Sequence, residues 1–147
     1  MKKKIALSLI VIICCFSLGC RTASSSPRPL SKSELLAMVS GEVLPDNVVT
    51  EIHSNGLSFV PDAGYVSLLK IAGAAPSILE AVNTAKYAPA ANPAPAADAT
   101  FLAHLSNAGK LKHVGDLDAA TRELSGSFPN DPARCAAAFV IGDILMK

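Results

Sequence analysis

The chain has 147 residues, 50% of them hydrophobic and 17% charged, with five Phe, two Tyr and no Trp, which is room for about one domain. Its 13 Lys and Arg stand against 12 Asp and Glu without forming the basic patch that nucleic-acid binding requires. Nor does a basic amphipathic helix of the kind that lies on a membrane surface stand out.

The first element is a leader. Lys2, Lys3 and Lys4 precede an apolar run from Ile5 to Phe16, and a small-residue segment then closes on Gly19 and Cys20. A charged start, a short apolar stretch and small residues at its end are the parts of a secretory signal peptide. The run is shorter than the roughly 18 apolar residues a spanning helix needs, which favours cleavage. The stretch SLGC, with Gly19 before Cys20, resembles a bacterial lipobox, in which the cysteine is acylated and becomes the new N-terminus. The resemblance implies a leader over residues 1–19, a lipid on Cys20 and a lipid-anchored protein of the bacterial cell envelope. The outer membrane is favoured, because Arg21 and not an aspartate follows the cysteine. An uncleaved membrane anchor and ordinary secretion with Cys20 as a plain thiol are the alternatives. Residues 20–29 then form a Ser/Pro tether, since RTASSSPRP has nothing to bury.

Cleavage changes the charge and the cysteine arithmetic. Three of the 13 basic residues leave with the leader, so ten face 12 acidic ones and the body carries −2. Cys14 and Cys15 leave as well and Cys20 takes the lipid, which leaves Cys135 with no internal partner. The body must be held by packing and not by disulfides. In the alanine-rich ARCAAAF, Cys135 is expected as a small buried hydrophobe.

Residues 30–86 read as four short helices. SKSE has the capping-box form, with Ser31 and Glu34 ahead of Leu35, Leu36 and Val39, and Gly41 ends the helix. Pro45 and Asp46 open a second helix that buries Val48, Val49 and Ile52 and stops at Asn55 and Gly56. Pro61 and Asp62 open a third, with Tyr65, Leu68, Leu69 and Ala72 on one face and Gly73 at its close. Pro76 opens a fourth that buries Ile78, Leu79 and Val82. Apolar residues fall at i, i+3 and i+4 and hardly ever alternate, so the fold class is all-α. The motifs NG, LLKIAGA and ILEAV within this segment resemble a small helical module of bacterial multidomain proteins that carry tetratricopeptide arrays. That resemblance implies a packing or interaction module and supplies no catalytic residue.

Residues 87–100, with Pro89, Pro93 and Pro95 among alanines, read as an extended linker. Beyond it, residues 101–147 pair two helices, the first running from Thr100 as a possible N-cap through His113. A tight turn falls at Gly115 and Asp116, and the second helix carries Leu117, Ala120 and Leu124. Pro132 opens a third helix. The segment resembles a tetratricopeptide repeat followed by the first helix of another. Ala108 and Gly142 are 34 residues apart, as are Leu111 and Leu145, and 34 is that family's repeat length. Close antiparallel packing needs small residues where backbones meet, the role assigned to Ala108 and Ala120, and a glycine at the turn, the role of Gly115.

Signals of chemistry are sparse. His53, His104 and His113 have no metal-ligand spacing and no cysteine pair beside them, so no metal or other cofactor is implied. His104 and His113 read as helix-surface residues. Asp116 and Asp118 suit the first turn of a helix, where negative charge meets the dipole, better than acid–base work. No nucleophile elbow, P-loop or dinucleotide glycine pattern is present. The expectation is a non-enzymatic envelope scaffold with a protein partner, or one that associates with itself. An envelope hydrolase with an unrecognised site, and a truncated relative of a longer repeat protein, are the rivals. The last helix, with Phe139, Ile141, Ile144, Leu145 and Met146, holds more apolar side chains than one hairpin can hide. Its open side is expected to be covered by the 30–86 module or by another chain.

Overall fold

The computed structural model of the chain describes residues 28–89, 97–125 and 134–146, so the leader, Cys20 and Pro132 lie outside the described residues. The fold is all-α. Seven helices follow one another among the described residues: α1 (Lys32–Ser40), α2 (Pro45–Asn55), α3 (Ala63–Ile71), α4 (Pro76–Thr84), α5 (Ala99–His113), α6 (Leu117–Ser125) and α7 (Arg134–Leu145).

Local chemistry sets the helix starts. The Glu34 amide donates to Ser31 Oγ at 3.3 Å and the Ser31 amide donates to Glu34 Oε2 at 2.9 Å, closing the capping box in front of α1. Pro45 and Pro76 occupy the first turns of α2 and α4, where a missing N–H costs nothing. Asp62 Oδ1 takes the Tyr65 amide at 2.7 Å in front of α3, and Asp116 Oδ1 takes the Ala119 amide at 3.0 Å in front of α6. Thr100 is not a cap. Helix α5 already begins at Ala99, with Asp98 (φ −59, ψ 142) at the cap position and its carbonyl accepting from the Leu102 amide at 3.0 Å.

Three helices end in a left-handed turn, two of them through glycine. After α3 and α5 the chain turns through Gly73 (φ 93) and Gly115 (φ 85), the left-handed geometry glycine adopts at least cost. After α1 the equivalent residue is Glu42 (φ 55): its amide bonds to Val39 O and the Val43 amide to Met38 O, both at 3.0 Å. Gly41 lies one position earlier, at an ordinary φ of −78°.

Helix α5 is the centre of the packing, with α1, α3, α6 and α7 against it. Leu35, Leu36, Ile52, Leu69, Phe101 and Leu105 are fully buried in one continuous core shared by the helices on both sides of residues 87–100. Two buried hydroxyls stitch the layers: Ser40 Oγ donates to Leu105 O at 2.9 Å, and Ser106 Oγ donates to Leu68 O at 2.7 Å. Isolated parallel bridges join Leu30 to Leu57 and Leu57 to Tyr87, tying the entry of α1 to the exits of α2 and α4.

The open side of α7 is covered by the first segment of the chain, because α1 lies against it. Its inward stripe is Ala136, Ala137, Val140 and Ile144. Cys135 falls off that stripe and is exposed, so it is not the buried hydrophobe expected. The fit leaves Phe139 at 47%, Leu145 at 75% and Met146 at 83% exposure. Among the described residues no helix is long and apolar enough to cross a membrane.

Candidate functional site

The side-by-side placement of α1 and α7 leaves a groove of about 300 Å³ lined by Leu30, Glu34, Ala37, Met38, Cys135, Ala136 and Phe139. The 3.6-residue period explains the wall: Glu34, Ala37 and Met38 are one stripe of α1, and Cys135, Ala136 and Phe139 one stripe of α7. The Phe139 ring lies over Gly41, where a Cβ would stand 2.5 Å from its Cε1. The carboxylate in the wall is committed elsewhere. Burial alone would raise the Glu34 carboxyl, but the Ser31 hydroxyl and amide together with the Arg28 guanidinium outweigh it and hold the group below its ordinary value. The groove therefore offers apolar contact with one thiol at its edge. A second groove of about 230 Å³, with Leu57, Phe59, Pro61, Val82 and Tyr87 in its walls, lies near the paired segments.

Polar clusters stand outside both grooves. His104 Nδ1 is 2.8 Å from Glu123 Oε1, and Asn107 Nδ2 donates to the same oxygen at 3.4 Å, bridging α5 to α6 on the partly exposed side of the hairpin. His113 Nδ1 is 3.7 Å from Glu42 Oε1. His104 and His113 thus each have a carboxylate, but neither contributes to a groove wall. Among the described residues no three His, Cys, Asp or Glu side chains gather as a metal ion would need.

The third cluster is buried. The Lys112 side chain has no exposure, and its ammonium pairs with Asp143 of α7 and, at 3.3 Å, with Glu42 Oε2 after α1. Sequence reasoning passed over Lys112, although Leu105, Ala108, Gly109 and Lys112 form one i, i+3, i+4, i+7 stripe that points it inward.

The repeat-defining residues have divergent surroundings. Ala108, Ala120 and Leu124 are buried within the α5–α6 hairpin, Leu111 packs at the core's edge and Gly115 makes the turn. Among the described residues nothing lies within 4 Å of a would-be Cβ on Gly142, and Leu145 is exposed, so the 34-residue spacing does not carry burial with it. Within α5 the tight approach involves Gly109, one residue beyond Ala108: its Cβ would meet Ser40 Oγ at 2.8 Å and Ser40 Cα at 3.0 Å. No known protein family, curated protein or solved structure matches the chain.

Proposed function

We propose that the chain is a bacterial cell-envelope lipoprotein, acylated at Cys20, whose helical body is a non-catalytic scaffold for protein–protein contacts. The leader pattern and Gly19-Cys20 support the anchoring half. The observation that carries the scaffold half is the α1–α7 groove, whose walls are apolar and whose one carboxylate is engaged by Ser31 and Arg28. Catalysis wants polar groups converging in a pocket, whereas a groove of this kind suits an apolar helix or loop of a partner. The α5–α6 hairpin, with buried Ala108 and Ala120 and a glycine turn, supports the tetratricopeptide-like reading of the same body.

A photoreactive amino acid at position 139, compared with one at exposed Val114 on the α5–α6 turn, tests the scaffold in living cells. Crosslinks to a defined envelope protein from position 139, absent from 114 and lost in Cys20→Ala, are expected. Equal capture at both positions contradicts the scaffold. Turnover of a model ester by the purified protein that disappears in His104→Ala favours the envelope hydrolase instead.

A further inference from the structure

We propose that α7 is a separable strap, latched onto the body by the buried Lys112–Asp143 ion pair, which comes away while α1 to α6 stay folded. The inference is independent of the lipoprotein and scaffold readings.

Three observations carry it. The apolar hold on α7 is thin: its inward stripe is Ala136, Ala137, Val140 and Ile144, two of them alanines, while Phe139 rests half-exposed on Gly41 instead of entering the core. Burial scales with apolar area, so Val140 and Ile144, with two alanines and the partly buried Ile141, hold α7 less firmly than Leu35, Leu36 and Val39 hold α1. Among the described side chains the polar hold lies at one point. Lys112 is sealed from solvent, and the carboxylates that face it are Asp143 from α7 and Glu42 from the turn after α1, with His113 beside Glu42. Finally, the body keeps a partner for the lysine when α7 leaves. Glu42 stands on the turn after α1, whose left-handed geometry (φ 55) is set by backbone bonds to α1, so its backbone stays in place when α7 leaves.

These features give α7 a lower opening free energy than the helices around Phe101 and Leu105, the pattern of a locally unfolding unit. Neutralising Asp143 leaves the buried ammonium with Glu42 alone while α7 is docked, and detachment, which admits water to the lysine, becomes the easier state.

Amide hydrogen exchange on the purified full chain reads this directly. In the wild type, α7 amides should exchange as a block ahead of those of α5. In Asp143→Asn they should exchange more than about tenfold faster, while α3, α4 and α5 keep their wild-type rates. Asp143→Glu, which retains the charge, should exchange more slowly than Asp143→Asn, and Glu123→Gln, away from the latch, should leave α7 unchanged. Acceleration spread evenly over every helix, unchanged α7 rates in Asp143→Asn, or Asp143→Glu behaving as Asp143→Asn would overturn the proposal.

Discussion

Ser40 sits directly on Gly109: a Cβ added to the glycine would stand 2.8 Å from the serine hydroxyl and 3.0 Å from its Cα. The hydroxyl is already fixed, because it donates to Leu105 O at 2.9 Å, so relief of the clash requires α1 to move off α5. Gly109→Ala gains up to about 1 kcal/mol of helix propensity and meets overpacking of about 1–3 kcal/mol, a net loss of roughly 1 kcal/mol. Gly142→Ala meets nothing within 4 Å and should instead stabilise by about 0.5–1 kcal/mol. The urea midpoint at unchanged slope checks Gly109→Ala, and slower exchange of the α7 amides checks Gly142→Ala. The same direction in both variants would show that the α1–α5 contact is not as close as described.

Tyr65 ties α3 to the start of α1. Its hydroxyl donates to Lys32 O at 2.8 Å, and its ring meets Phe59 edge-on with centroids 4.8 Å apart. Tyr65→Phe keeps the ring contact and removes the bond, so it should cost about 1 kcal/mol by denaturant unfolding.

The pH dependence follows from three groups around that corner. Glu34 is held below its ordinary value near 4.5, and Asp62 below 3.8, chiefly by the Tyr65 amide and then by the Lys32 ammonium. Because their folded values are depressed, both contribute stability that is complete above those ordinary values and is lost as pH falls through the folded ones. Tyr65 has the opposite effect at the other end. Burial raises its hydroxyl well above 10.0, so the unfolded chain ionises first and stability declines as pH rises past 10. Stability measured against pH should therefore fall at both ends. Glu34→Gln should flatten the acid limb, and Tyr65→Phe should flatten the alkaline limb.

Local rules made the helix starts legible. Ser31 with Glu34, Pro45, Asp62 and Pro76 act within one turn of themselves, so a capping box or a proline in the first turn is readable before any tertiary contact is known. What one helix does to another was less legible. Cys135 looked inward because its neighbours are alanines, but the face α7 buries is decided by where α1 lies. Ser40, Ser106 and Gly109 are unremarkable in the sequence, and only the approach of α1 and α3 to α5 gives them roles. The 34-residue spacing set Gly142 and Leu145 equivalent to Ala108 and Leu111. Equivalence of surroundings also needs a further helix against α7, and none packs on that side among the described residues.

The groove itself predicts a surface variant with a clean phenotype. Phe139→Asp places a charge on the groove wall at a half-exposed position. It should change unfolding free energy by less than about 1 kcal/mol while removing the in-cell crosslinks expected nearby, at groove residue Met38. Crosslinks that persist in this variant would place the partner elsewhere on the body.

Intact-mass analysis of the protein purified from membranes of a bacterial host tests the proposed lipid anchor at Cys20 directly. The predicted result is a chain that begins at Cys20 and carries the added mass of a diacylglyceryl group, with the Cys20→Ala variant retained as full-length precursor. A mature chain that begins at another residue, or one that begins at Cys20 with no added lipid mass, would contradict it.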